Sequence, residues 1–161
     1  PVVVIFAGIV DWGSVYAQRV SLRTGAREAS WNAGRGIFGS SAGCTIEGSI
    51  ADSNTRQVMC MAKQRSDLNP DDVRVKVVLL DPNNISSPAT FTTGMAVMVC
   101  VQQRLTSVTG MFDSLLSNTF QRMRVETIVI ATGGKTLTDG EETAFSGSGG
   151  WTWCDPAIPA P

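Results

Sequence analysis

The chain of 161 residues contains no histidine, and this absence argues against several kinds of chemistry at once. Histidine is the usual general base, and it completes the Ser/His and Cys/His nucleophile pairs of many hydrolases. A zinc site would need all four cysteines as ligands, although no two of them are closely spaced in the sequence. We therefore expect no enzyme, no catalytic residue, no bound metal and no cofactor.

Clusters of residues with the same charge are also scarce. The chain has 13 basic and 14 acidic residues and a formal net charge of −1, without a block of like charges. The only basic concentration is the row Arg19, Arg23 and Arg27, and no aromatic platform for stacking bases accompanies it. The sequence therefore predicts no nucleic-acid partner, and its length suits a single compact domain.

Two adjacent acidic pairs and one sequon are the remaining local motifs. Asp71-Asp72 and Glu141-Glu142 lie in polar segments, where we expect them to be solvated and not catalytic or calcium-binding. Asn84-Ile85-Ser86 matches an N-glycosylation sequence, which matters only in a secretory pathway that uses it.

The chain does contain one long helix pattern at its start. Residues 1–33 contain no breaker stronger than isolated glycines before the pair Gly34 and Gly36, so the helix could extend for about 50 Å at 1.5 Å per residue. Its first part, residues 2–10, is apolar and uncharged. A domain of this size cannot bury such a helix against itself, so we divide the chain into this helix (1–33) and a globular part (34–161). The apolar end is expected to contact lipid or other copies of the chain.

The apolar run has two interpretations. The run is shorter than the roughly 20 residues that cross a bilayer. We favour the interpretation that it is the downstream half of a membrane segment, because Asp11-Trp12-Gly13 follows it like an interfacial boundary. The alternative is a buried core helix in a complete soluble domain. Since an unpaired buried charge is costly, Asp11 should reach the interface or meet a cation or donor from another subunit.

A row of small residues recurs every fourth position of the same helix. Such a row lets a second backbone approach closely, and we favour a neighbouring subunit as the partner near its start and the chain's own sheet as the partner near its end. The arginine row at the same spacing predicts either acidic or carbonyl partners or a solvated face. The small residues are Gly13, Ala17, Ser21, Gly25, Ala29 and Ala33. The residues assigned to an assembly helix are Val3, Phe6, Val10, Asp11, Trp12, Gly13, Ala17, Ser21 and Gly25.

Four cysteines without close spacing favour two disulfides in an oxidising compartment over a zinc site. The sequence permits three connectivities. We favour Cys44–Cys60, which closes a loop worth about 3 kcal/mol in the chain-entropy model, and Cys100–Cys154, which would attach the tail to a strand.

The globular part predicts one more helix after a Gly- and Ser-rich loop over 34–48. Asp52 or Ser53 can cap this helix, which should extend to about Arg65. Its apolar side consists of Val58, Met59 and Ala62.

Three segments alternate with the period of a strand. They are the segment from Val73 that Asp81 ends, the segment Met95–Leu105, and the segment Met123–Ile130. Half-polar alternation indicates an antiparallel sheet of three or four strands that is covered on one face, and the polar half of the first helix is the expected cover.

From Gly133 onwards the chain is rich in Gly, Ser, Thr and Pro and is predicted to be largely irregular. Trp151 and Trp153 precede Cys154 in this tail. We expect them to dock a local segment onto the domain, and the alternative is an exposed aromatic patch that serves as a surface contact.

The order of these parts resembles a family. Residues 8–13 (Gly-Ile-Val-Asp-Trp-Gly), then Tyr16-Ala17-Gln18 and residues 25–29 (Gly-Ala-Arg-Glu-Ala), are similar to the N-terminal region of TadE-like pseudopilins of tight-adherence, type IV-like pili. Gly25 and the pair Ser30-Trp31 depart from the family's second signature. The resemblance implies a small α+β domain behind an assembly helix, a location outside the cytoplasm on a pilus or cell surface, and attachment to the inner membrane before assembly.

We therefore expect a disulfide-stapled α+β pilin-like fold, with a long N-terminal helix packed on a small antiparallel sheet. The expected function is that of a structural subunit of an extracellular or cell-envelope filament, with a possible part in adhesion to an unknown surface ligand. Its partners would be copies of itself or related pilin subunits, bound through the N-terminal helix. The alternative is a membrane-anchored cell-surface binding module that does not polymerise and that uses Trp151, Trp153 or the loop 34–48 as its contact surface.

Overall fold

A computed structural model describes residues 2–84 and 89–157 and has an α+β fold. Ile85 and Ser86 of the N-glycosylation sequence lie outside the described residues. The elements in chain order are α1 (Val2–Gly34), α2 (Ser53–Arg65), β1 (Val73–Leu80), β2 (Ala96–Arg104), the short α3 (Asp113–Leu116), β3 (Phe120–Ile128) and the short β4 (Gly140–Glu141).

The long first helix ends at the glycine pair that the sequence indicates. Gly36 has a φ of +68°, a left-handed conformation that glycine adopts without a steric penalty. The N–H groups of Arg35 and Ile37 both bond to the carbonyl of Asn32, so the last turn of α1 is closed locally. The predicted helix boundary is therefore correct to within a residue.

The second helix begins where its cap predicts. The Asp52 carboxylate accepts hydrogen bonds from the N–H groups of Asn54 and Thr55, which have no partner within the helix. The apolar side of α2, Val58, Met59 and Ala62, is fully buried. This helix packs against both α1 and β1 and so connects the long helix to the sheet.

The four strands form one antiparallel sheet in the order β3-β2-β1-β4. β2 lies within one residue of its predicted ends. β3 begins three residues before the predicted Met123 and ends at Ile128. β4 falls in the tail that was predicted to be irregular, because it is set by pairing with β1 and not by a local pattern.

Both faces of the sheet are covered, so the expectation of a single covered face is wrong. The helices cover one face, where Leu22, Ala26 and Ala29 of α1 pack on the valines of β1 and β2. The C-terminal segment covers part of the other face, and its cluster contains Met98, Cys100 and Cys154 together with Leu80, Ala96, Trp151 and Trp153. Burial of β2 on both sides follows from this attachment.

The tail tryptophans are buried and do not form an exposed patch. Trp151 Nε1 donates to the carbonyl of Glu142 at 2.8 Å, and Trp153 Nε1 donates to the carbonyl of Gly150 at 3.1 Å. The two indole centroids lie 5.6 Å apart. The assignment of Trp151 and Trp153 as a possible surface contact is therefore corrected, because the rings and their polar edges are already used within the chain.

Glu142 is likewise not solvated. Its side chain is buried against that of Lys63 on α2, with Oε1 of Glu142 2.7 Å from Nζ of Lys63. The same carboxylate accepts the N–H groups of Glu47 and Val75 at 2.9 and 2.7 Å. The cation and the two amide donors compensate the cost of burying the Glu142 carboxylate. The position of Glu142 next to Glu141 in the sequence does not reveal these partners.

Candidate assembly surface

The apolar start of α1 is exposed. The exposed fractions are 72% for Val3, 65% for Phe6, 49% for Val10 and 76% for Trp12, and Ala7 is the one buried residue in the described part of the run 2–10. The interpretation as a buried core helix is therefore wrong. Among the described residues, no helix has both the length and the hydropathy needed to span a membrane.

A second segment adds to this apolar surface. The connection between β2 and β3 extends beyond the sheet and lies beside α1, where a Cβ placed on Gly8 would be 4.0 Å from Cζ of Phe112. Val108, Met111 and Leu115 of this connection are exposed. We call these three residues and the exposed apolar residues of α1 up to Trp12 the assembly surface. Its loop part was not predicted, although the apolar residues between 108 and 116 were the available signal.

Asp11 holds the connection against the helix. Its Oδ1 accepts the N–H groups of Val108 and Thr109 at 2.9 and 3.0 Å, and its Oδ2 accepts the hydroxyls of Ser107 and Thr109 at 2.7 and 2.8 Å. The hydroxyls of Ser107 and Thr109 in turn accept the N–H groups of the next residues in the loop, Gly110 and Met111. The carboxylate therefore organises a whole turn of the connection.

This geometry corrects the expectation that Asp11 meets a partner from another subunit. The side chain is only 3% exposed, and its four donors come from its own chain. Burial raises the pKa of Asp11, but the hydrogen bonds from Ser107, Thr109 and Val108 outweigh it and hold the pKa below its usual value. The ionised form is thus favoured although no cation contacts it in the described part of the structure.

The row of small residues changes partner along the helix. Each step of four residues turns about 40° past a full turn at 3.6 residues per turn, so the row rotates by about 200° from its first to its last member. Gly13 and Ala17 are exposed, Ser21 is half-buried, and Ala29 and Ala33 are fully buried in the core. The end of the row therefore faces the chain's own domain, as expected, and its start is free for a neighbour.

Gly25 belongs to the internal part of this row. A Cβ placed on Gly25 would meet the carbonyl oxygen of Ala62 and would lie 2.8 Å from the backbone nitrogen of Ser66. The absence of a side chain thus lets α1 and α2 approach closely. Its assignment to the assembly helix is corrected, because the helix that it contacts is α2 of the same chain.

Two glutamines fasten α1 to the sheet just below the assembly surface. Gln103 Nε2 donates to Gln18 Oε1 at 2.9 Å, and Gln121 Nε2 donates to the carbonyl of Val15 at 3.1 Å. With Asp11 bound one turn earlier, the helix has polar attachments on one side and apolar residues on the other. These hydrogen bonds hold α1, and with it the helix part of the assembly surface, in a fixed position on the sheet.

The arginine row lies on the outer side of α1. Arg19, Arg23 and Arg27 are exposed, and none of their side chains forms a hydrogen bond or ion pair within residues 2–84 and 89–157. The next acidic residue of the helix, Glu28, pairs instead with Arg65 of α2 at 3.2 Å. Among the described residues the row therefore has no acidic partner of its own.

The four cysteines form the two favoured disulfides. Cys44 is joined to Cys60 of α2, and Cys100 of β2 is joined to Cys154 in the tail, with Cα separations of 5.8 and 6.0 Å. The described residues contain no group of acidic or sulfur ligands arranged to hold a metal ion.

Comparison of the chain with protein-family models, with curated proteins and with solved structures finds no match in any of the three.

Proposed function

We propose that this chain is a structural subunit of an extracytoplasmic filament, pilin-like in organisation, that assembles through the N-terminal part of α1. The observation that carries the proposal is the assembly surface itself, an exposed apolar helix end attached to a disulfide-stapled domain. Adhesion to a surface ligand would be a further property of such a filament.

The distribution of charge supports packing of this surface against other copies. Between Val2 and Gln18 the only charged side chain is Asp11, and it is buried with its four donors. No exposed charge on this part of the helix would therefore have to be desolvated on contact. The free small residues Gly13 and Ala17 would let a second helix approach closely.

The energetic gain from such packing is substantial. Val3, Phe6 and Val10 each remain about half or more exposed in the monomer. Burial of such a side chain from full exposure contributes about 1.5–3 kcal/mol, and these three side chains would gain about half to three quarters of that on assembly. In a helical polymer each subunit would make this contact with more than one neighbour, so modest individual gains would accumulate.

The first experiment replaces apolar residues of the surface by charged ones. Phe6→Glu and Val10→Glu should abolish filaments, seen by electron microscopy and by sedimentation, while the melting temperature of the domain stays unchanged because neither side chain is in the core. Ile37→Glu is the matched control, since Ile37 is 47% exposed, close to the 49% of Val10, but lies outside the assembly surface.

Two results would overturn the proposal. Normal filaments from the Phe6→Glu variant would exclude this surface as the contact. A wild-type protein that stays monomeric at every concentration but binds to lipid vesicles through the same residues would favour the membrane-anchored module instead.

A further inference from the structure

A groove extends along the free edge of the sheet, between α1 and β3. β3 is the outermost strand on its side of the described sheet, with β2 as its one paired neighbour. An edge strand presents unpaired N–H and C=O groups to whatever lies beside it. The helix wall of the groove carries the apolar side chains Tyr16, Val20 and Trp31, all about half or more exposed.

The helix and the strand run side by side in the same direction. Val15 of α1 bonds to Gln121 near the start of β3, and Ser30 bonds to Thr127 near its end, with 2.9 Å between the two hydroxyls. The two stretches have nearly the same length, about 22 Å on the helix at 1.5 Å per residue and about 20 Å on the strand at 3.3 Å per residue. The groove therefore has about the length of a strand.

The arginine row supplies the charge of this groove. Arg19, Arg23 and Arg27 line its helix wall, and their side chains have no hydrogen-bond or ion-pair partner in the described residues. Glu126 is the acidic residue of the lining, and it belongs to the alternate set of β3, which points away from the face on which Thr127 meets Ser30. On the helix side of the groove, the charged side chains of the lining are therefore the three arginines.

The spacing of the row matches one kind of occupant. Residues four apart on a helix are about 6 Å apart along its axis. Alternate side chains of an extended strand are about 6.6 Å apart and point to the same face. A strand beside β3 would thus direct every second side chain to the helix wall, at nearly the axial interval of the three arginines, while the row turns by about 80° around the helix axis over its two steps.

We infer that this groove binds an extended protein segment with acidic side chains at alternate positions, which adds to the sheet as a fifth strand beside β3. The main-chain groups of β3 would supply hydrogen bonds, and the arginines would select the acidic pattern. The remaining side chains of the segment, on the opposite face, would extend the sheet surface beside Glu126. This inference does not depend on filament assembly, because binding is measured on the monomer.

The probe is a labelled synthetic peptide with the nine-residue length of β3, in which Glu alternates with Thr or Val. Fluorescence anisotropy should show saturable binding, and amide hydrogen exchange within 120–128 should become slower. A peptide of the same composition with its glutamates clustered, and a peptide with Lys in place of Glu, should bind much more weakly. Equal binding of all three peptides would overturn the inference.

The matched variants are Arg23→Glu in the groove and Arg56→Glu on α2, where Arg56 is equally an exposed helix arginine. Arg23→Glu should weaken peptide binding by about fivefold, the effect of losing one exposed ion pair at the upper end of the measured range. Arg56→Glu should change it little. Equal effects of both variants would indicate non-specific attraction and would overturn the inference.

Two other occupants of the groove are separate outcomes. If vesicles of anionic phospholipid bind through Arg23 while the peptide does not, the row recognises a membrane and the inference is wrong. If Arg23→Glu reduces self-association without any peptide binding by the wild type, the occupant is a second copy and the inference is equally wrong.

Discussion

Asp11 and Thr109 are 98 residues apart in the sequence, and the Asp11 carboxylate accepts both the N–H and the hydroxyl of Thr109, at 3.0 and 2.8 Å. This contact joins the end of the apolar run to the connection between β2 and β3. Because of this contact, the assembly surface consists of a helix part and a loop part. The contact also buries the Asp11 carboxylate, so that its charge does not lie on that surface.

The attachment of the connection should depend on pH. The pKa of Asp11 is lowered in the folded chain, so the stability that the ionised carboxylate contributes is fully present above the unfolded value of about 3.9 and is lost as the pH falls through the lower folded value. The protection of the Val108 and Thr109 amides, measured as the exchange rate relative to that of an unfolded chain at the same pH, should therefore stay high at neutral pH and fall only in that acidic range. The measurement is exchange by NMR or mass spectrometry over the pH series.

Asp11→Asn should leave these amides less protected at neutral pH. It should also remove the further loss of protection in the acidic range, which we call the acidic step. Asp113→Asn, which changes an exposed carboxylate of the same connection, should preserve the step. An unchanged step in the Asp11→Asn variant would show that another group holds the connection.

The buried pair of Lys63 and Glu142 should be among the most sensitive positions for stability. Lys63→Met leaves the Glu142 carboxylate buried without its cation and should lower the free energy of unfolding by about 3–5 kcal/mol. Lys76→Met is the matched control, because Lys76 pairs at the same 2.7 Å with Glu141 at the surface and should cost about 1 kcal/mol or less. Denaturant titration measures both, and equal losses would contradict this assignment.

The small-residue row should separate into two classes of variant. Ala17→Leu adds volume to an exposed position and should reduce subunit association without changing the melting temperature of the monomer. Gly25→Leu forces a side chain against Ala62 and Ser66 and should destabilise the monomer by about 1–3 kcal/mol or more. Calorimetry of the monomer and sedimentation of the assembled form measure the two effects. A loss of monomer stability from Ala17→Leu would place this part of the row in the core.

Loss of the Cys100–Cys154 disulfide should lower the free energy of unfolding more than loss of the Cys44–Cys60 disulfide. Cys100 and Cys154 are 54 residues apart and Cys44 and Cys60 are 16 apart, so the chain-entropy model gives about 4 and about 3 kcal/mol respectively. The double variant Cys100→Ala and Cys154→Ala should also shift tryptophan fluorescence towards that of exposed indole. Peptide mapping of the wild type should find both links and no free thiol, and free thiols would contradict the pairing.

Most of the fold could be predicted because its signals are local. The Asp52 cap fixes the start of α2, and the glycines after Ala33 fix the end of α1. Alternating residues gave the three main strands, and the cysteine count with its spacing gave the two disulfides. The caps and the strand patterns are decided by neighbours within a few residues, whereas the cysteine pairing was a choice among three connectivities.

The errors concern residues whose environment is set by distant parts of the chain. Glu142 is buried because Lys63, 79 residues away, compensates it. Asp11 is satisfied by donors 96–98 residues away, which no pattern around Asp11 reveals. Gly25 was placed in the part of the row that meets a neighbour, although the row rotates about the helix axis and already faces α2 of the same chain at this position.

The most direct test of the assembly proposal is photocross-linking from within the surface. A photoreactive phenylalanine analogue at Phe6, in filaments mixed from isotopically light and heavy chains, reports which residues lie beside this position in another copy. We predict light-to-heavy cross-links between Phe6 and α1 residues of a neighbouring subunit, with none from the same analogue at the distant Phe91, which is buried in the core. Cross-links from Phe6 only to its own chain or to lipid would contradict the proposal that this chain assembles through α1.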